Sequence, residues 1–140
     1  MNNYGINEIC DFIYGLKNEG LLMKENVLVE KSLRFGARIL KLYQYLVKTK
    51  KETIISKQIV RSGTSIGANI NEANYAQIRA DFIAKMHISL KETAETEYWI
   101  RILILSEYVE GKFATSLLDD CLELKRILIA SLNTAKVSTE

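Results

Sequence analysis

Apolar residues recur at three- and four-residue spacing through most of this chain and divide it into four segments. The first runs from about Val29 to Thr49, where Phe35, Ile39, Leu42, Tyr43 and Leu46 share one helical face. Ser32 and Asn26 are its candidate caps. The second covers about Thr53 to Tyr75, with Ile55, Ile59, Ile66, Ile70 and Ala73 in register. The third and longest extends from about Gln77 to Tyr108, its main stripe formed by Phe82, Ile83, Met86, Leu90, Ala94, Ile104 and Leu105. Glu110-Gly111 breaks the pattern, as a glycine at a helix C-terminus does. The fourth covers about Thr115 to Ala135, with Leu117, Leu118, Cys121, Leu124, Leu128 and Leu132 on one face. Short connections make neighbouring helices antiparallel, so the pattern predicts an all-α, up-down-up-down four-helix bundle.

Composition agrees. The 140 residues contain no proline, which favours long uninterrupted helices joined by short loops. No run of eighteen apolar residues exists to cross a membrane. The N-terminus carries Glu8 and Asp11 where a secretory signal needs a basic start. Cys10 and Cys121 lie far apart without metal-type spacing, and Cys121 falls on an apolar face as a small core residue. These features predict a cytoplasmic protein with no membrane partner.

Residues 23–140 form the bundle domain, and residues 1–22 are read as an N-terminal extension. Ile9, Phe12, Ile13 and Leu16 suit a short amphipathic helix, which Gly5, Gly15 and Gly20 weaken. The other reading is an over-called start. Met23-Lys-Glu-Asn opens naturally before the first long helix, and Glu19-Gly20 fits purine-rich codons of a ribosome-binding site. Peptides from upstream of Met23 in the native protein would rule that reading out.

The second segment contains Gln58-Ile-Val-Arg-Ser-Gly-Thr-Ser-Ile-Gly-Ala-Asn-Ile-Asn-Glu-Ala73, in which small residues alternate with isoleucine. On a 100° wheel Gln58, Arg61, Ser65 and Glu72 share one edge, and Asn69 lies between that edge and the isoleucines. Ser62 falls within the apolar face, and Gly63 and Gly67 fall on the far side. Glycine costs about 1 kcal/mol against alanine in a helix, so close approach by neighbouring helices on more than one side must offset it. Glu97 and Arg101, four apart, turn towards the third segment's stripe. Gln58, Arg61, Asn69, Glu72, Glu97 and Arg101 are therefore expected to form a structural polar network. Ile88, Trp99, Ile102 and Leu103 make a second apolar strip on the third segment, which fits a subunit interface.

Chemistry is sparse. The single histidine, His87, excludes the paired Glu-x-x-His sites of di-iron bundles. Glu92, Glu95 and Glu97 read as a solvated helix face with one residue turned inward. No phosphate-cradling glycine loop is present, and Ser62-Gly63-Thr64-Ser65 lacks a paired base. The expectation is a protein that is not an enzyme, with no catalytic residue, metal or cofactor.

Charge supplies the functional lead. Between residues 31 and 61 there are nine Lys or Arg against one acid, Glu52, whereas acids exceed bases on either side. Lys31, Arg34, Arg38, Lys41, Tyr45 and Lys48 lie opposite the Phe35/Ile39/Leu42 stripe, and Lys50, Lys51 and Lys57 continue the patch through the following turn. Basic residues interleaved with an aromatic suit a phosphate backbone with one stacking contact, and matching acids at i+4 are lacking. The reading is a non-enzymatic, oligomeric RNA-binding or ribonucleoprotein-accessory protein. The alternative is a scaffold for a protein partner without nucleic acid.

Several stretches carry a resemblance. They are Glu30-Lys-Ser-Leu-Arg-Phe-Gly-Ala-Arg-Ile39, Leu42-Tyr43, the run from Ser56 to Ala73, Ala80-Asp-Phe-Ile83, and Leu90-Lys-Glu-Thr-Ala-Glu-Thr-Glu-Tyr-Trp99. From about Met23 to Ile129 the chain resembles bacterial four-helix-bundle proteins encoded by intervening sequences within large-subunit ribosomal RNA genes. That family is in turn similar to the accessory variability proteins of diversity-generating retroelements. The resemblance implies a ring-shaped homopentamer, and the retroelement accessory proteins are basic pentamers that bind nucleic acid and associate with a reverse transcriptase.

Overall fold

The computed structural model describes residues 24–137, which form four helices and no strand. They are α1 (Lys24–Lys48), α2 (Ile55–Ala73), α3 (Arg79–Leu105) and α4 (Gly111–Val137). Helix α2 packs on α1 and α3, and α4 closes the bundle against α3 and α1. The N-terminal extension and Cys10 lie outside the described residues.

Each helix sends its predicted stripe inward, α3 only in part. Phe35, Ile39, Leu42 and Leu46 of α1 meet Ile59, Ile66 and Ile70 of α2 and Leu117, Cys121, Leu124 and Leu128 of α4 in one core. In α3 the inward face is Met86, Ser89, Thr93, Thr96, Ile100 and Leu103, whereas Ala94 is exposed and Leu105 is 85% exposed. Of the stripe expected from apolar spacing, Met86 is buried and Phe82, Ile83, Leu90 and Ile104 pack against the core from its edges, whereas the centre of the inward face is polar. Hydroxyls explain the difference, because each inward Ser or Thr satisfies itself on a helix backbone or a neighbouring hydroxyl. Ser89 Oγ donates to the Ile66 carbonyl across the interface at 2.9 Å, and Thr93 Oγ1 to the Ser89 carbonyl at 2.8 Å. Thr96 Oγ1 lies 2.7 Å from the Glu92 carbonyl and 2.9 Å from Ser62 Oγ.

These short side chains let α2 and α3 approach closely on one side. On the other, Gly63 faces Ile39 and Gly67 faces Ser32 of α1. Close approach on two sides of α2, expected from its small residues, is what the fold contains. Ser32 is accordingly no cap: it is buried in mid-helix, its hydroxyl on the Val29 carbonyl at 2.9 Å.

The helix ends depart from expectation in two further places. Gly111, with φ +69°, opens α4 and does not close α3. The left-handed residue that ends α3 is Glu107, φ +63°, and it sets up a Schellman closure. Tyr108 N–H bonds the Leu103 carbonyl at 2.9 Å, and Glu107 N–H bonds that of Ile104 at 3.0 Å. At the start of α2 the Glu52 carboxylate accepts from three backbone N–H groups, those of Ile54, Ile55 and Ser56, at 2.7–2.8 Å. Burial pushes the Glu52 carboxyl up, but these three bonds outweigh it and hold the group below its ordinary 4.5.

A depressed carboxylate stabilises the fold above its unfolded pKa, and that contribution is lost as pH falls through the folded value. Glu52→Gln should therefore cost about 1 kcal/mol at neutral pH. The gap to wild type should narrow as pH drops below 4.5, as urea denaturation across pH will show.

Candidate nucleic-acid interface

The nine residues assigned to the basic face divide into two groups. Lys31 pairs with Glu123 of α4 at 2.6 Å. Arg34 pairs with Glu30, one turn earlier in its own helix, so a matching acid does stand four residues away. Arg38 reaches Asp120 at 2.5 Å and Ser116 Oγ at 3.2 Å, with its guanidinium 5.5 Å from the Phe113 ring. Its side chain is 12% exposed, so this arginine joins α1 to α4 and presents little charge to solvent.

The second group is Lys41, Lys48, Lys50, Lys51 and Lys57, together with Tyr45. None of these lysines has an acid within 4 Å among the described residues. Lys48, Lys50, Lys51 and Lys57 are exposed, Lys41 is half-buried, and Tyr45 is 42% exposed. They gather at the bundle end where α1 stops and α2 starts. Lys51 adopts φ +58° there, and Glu52, the acid in the turn, is committed to the α2 backbone. Lys112, exposed in the first turn of α4, belongs to the same end, and sequence reading passed it over.

Lys31 and Arg38 do not lie opposite the core stripe but flank it on the α4 side, and the α2 side of α1 carries exposed apolar residues. Leu33 and Leu40 are 37% and 47% exposed along a groove of about 380 Å³ between α1 and α2, floored by Gly36 and Gly67. The stripe of α1 is thus wider than its buried part.

The expected polar network resolves into separate clusters. Arg61, on the exposed side of α2, binds Glu95 at 2.5 Å and Glu92 at 3.4 Å. Burial raises the Glu92 carboxyl, with Arg61 opposing it. Glu95 stays below its usual range despite burial, because Arg61 and the Trp99 indole N–H face its carboxylate. The indole does so without completing a well-aligned hydrogen bond. Glu72 pairs with Lys85 at 2.6 Å. Glu97 holds Lys125 and Arg101, both at 2.9 Å, and Lys125 first and Arg101 second keep it below its usual range. Asn69 donates to the Ser65 carbonyl at 2.8 Å, and Gln58 is exposed. A single network is prevented by position: Arg61 and Glu72 lie three turns apart along α2, and Glu97 turns towards α4.

Of the expected interface strip, Leu103 is 1% exposed and belongs to the core of the chain, so it offers no surface. Trp99 packs against the core with Tyr98 edge-on at 5.1 Å, Ile102 is half-buried, and Ile88 is 41% exposed. Helix α3 is flanked by both α2 and α4, which accounts for most of its second apolar face. Among the described residues no three His, Cys, Asp or Glu side chains converge to hold a metal, and no helix is long and apolar enough to cross a membrane. Cys121 is buried against the Thr93 carbonyl, and burial, with Glu97 adding to it, pushes its thiol up to about 12.

Comparison with known proteins agrees with this fold. No curated protein matches the chain. The crystal structure of a protein of unknown function from the S23 ribosomal protein family of Bacteroides thetaiotaomicron is 52% identical, with a TM-score of 0.77. The match covers 79% of this chain and 99% of that one. A family model described as 23S rRNA-intervening sequence protein matches residues 24–130, and the chain belongs to that family.

Proposed function

We propose that this protein is a non-enzymatic, RNA-binding or ribonucleoprotein-accessory protein that works through the unpaired lysines at one end of its bundle. The observation that carries the reading is the division of the basic face. Lys31, Arg34 and Arg38 are occupied by acids of the fold, whereas Lys41, Lys48, Lys50, Lys51 and Lys57 are left for an external anion. Lysines without internal partners give up no ion pair on meeting phosphate, and they release counterions from the nucleic acid.

The same proposal holds that the helices run antiparallel and that the chain assembles as a homopentameric ring in the cytoplasm. Pairings such as Lys31–Glu123 with Arg38–Asp120, and Arg61–Glu95 with Glu72–Lys85, support alternating helix direction. The half-exposed Leu33/Leu40 groove supports self-association. A ring repeats the lysine cluster around its axis, and multivalency raises a weak affinity per subunit by about 10²–10⁴-fold. The same groove favours a second reading, a scaffold that docks a protein partner and needs no nucleic acid.

Titrating purified protein into a labelled fragment of structured ribosomal RNA separates the two. Binding that weakens steeply as salt rises supports the first reading. No binding at low salt contradicts it and turns attention to the groove.

A further inference from the structure

The lysine-rich end of the bundle also holds a hollow of about 390 Å³, bounded by the end of α1 and the loop joining α3 to α4. That volume falls within the range of about 300–1,000 Å³ typical of small-ligand sites. Its walls combine three aromatic rings, Tyr45, Tyr108 and Phe113, with Lys41 and Lys50. Tyr45 and Tyr108 are 42% and 37% exposed, so their rings remain available to a ligand. Lys41 and Lys50 have no acid within 4 Å among the described residues.

The walls are also fixed in place. Phe113 lies against the Arg38 guanidinium, which Asp120 anchors. Tyr108 follows the left-handed Glu107 and is tied by its N–H to the Leu103 carbonyl. The Tyr45 carbonyl accepts from the N–H groups of Thr49 and Lys50 at 2.9 and 3.3 Å. Phe113 is held through its ring and Tyr45 and Tyr108 through their backbones, which lowers the cost of ordering the walls around a flat ring.

We propose that this hollow receives one unpaired base of the bound RNA, stacked against Tyr45 and Tyr108, with the flanking phosphates on Lys41 and Lys50. The proposal rests on the RNA-binding reading above and assigns that surface a preference for single-stranded loops. Aromatic rings stack on any exposed base, whereas bases inside a duplex are out of reach. Glu107 and Glu110 line the same hollow, and carboxylates there repel phosphate. A carboxylate accepts from the exocyclic amino group of cytosine, and uracil has none to offer. The site therefore takes an amino-bearing base.

The test compares three RNAs of equal length by fluorescence anisotropy: a hairpin with a cytidine loop, the same stem with a uridine loop, and a full duplex. The cytidine hairpin should bind about tenfold more tightly than the duplex, with the uridine hairpin between them. Tyr45→Ala and Tyr108→Ala should each remove most of that advantage, and Tyr45→Phe should keep it. Tyr75→Ala, which changes an exposed tyrosine in the loop between α2 and α3, should leave it intact. Equal affinity for hairpin and duplex, or an advantage that survives both alanine variants, overturns the base site while leaving RNA binding in place. Equal affinity for the two loops overturns the choice of an amino-bearing base. Failure to bind any of the three overturns the RNA reading and the base site together.

Discussion

Gly63→Ala is expected to destabilise this bundle by about 1–3 kcal/mol, against the gain of about 1 kcal/mol that alanine brings to a helix. A Cβ at this position would stand 2.8 Å from both Cγ atoms of Ile39 and 3.2 Å from its Cβ. Ile39 is fully buried, and both offending carbons hang directly from its branched Cβ. A β-branched residue in a helix has one strongly preferred rotamer, so the side chain cannot swing clear. Helix α1 itself must move, and with it the lysines at its end. Gly36, in the same pair of helices, has no heavy atom within 4 Å of an added Cβ, so Gly36→Ala should gain about 1 kcal/mol. Urea denaturation of the two variants should give opposite signs. In an Ile39→Ala background, which removes both Cγ atoms and leaves only the Cβ at 3.2 Å, the penalty at Gly63 should shrink to a small remainder. A Gly63→Ala protein as stable as wild type in both backgrounds would show that α1 and α2 are not so closely packed.

That contact illustrates what the sequence makes legible. The alternation of small residues with isoleucine from Ile59 to Ile70 implies close approach on two sides, and Gly63 against Ile39 with Ser62 against Thr96 provides it. The four helices and the stripes of α1, α2 and α4 follow from apolar spacing because those stripes consist of carbon. In α3 apolar spacing finds the flanks of the inward face and not its centre, for a physical reason. Ser89, Thr93 and Thr96 hide their hydroxyls on carbonyls and a neighbouring hydroxyl, so buried positions look polar, and the apolar Leu105 at the helix end looks buried.

The candidate site was legible as a charge excess but not as a surface. Which bases are neutralised depends on acids far away in sequence, Glu123 and Asp120, and no local pattern reveals that pairing. Tyr108, Phe113 and Lys112 went unnoticed for a related reason. They are separated from Lys50 by two helices, and only the fold brings Tyr108 and Phe113 to the same hollow as Lys50.

The largest functional effect is expected from the unpaired lysines. Replacing Lys48, Lys50 and Lys51 with alanine should weaken RNA binding on the order of a hundredfold at low salt. Each lysine that contacts a phosphate adds about one unit to the slope of log affinity against log salt, so the slope should fall by about three. Alanine at Lys31, Arg34 and Arg38 should change the slope by less than about one unit. Those three side chains already have acidic partners, and their loss falls mainly on the contacts within α1 and between α1 and α4.

The most direct test places the two triple variants beside wild type in one salt series, read by fluorescence anisotropy on the same ribosomal RNA fragment at matched oligomeric mass. A shallow slope and weak binding are expected for the Lys48/Lys50/Lys51 variant, and a slope close to wild type for the Lys31/Arg34/Arg38 variant. Equal losses in the two variants, or a greater loss in the second, would contradict the claim that the fold reserves one end of its basic face for RNA.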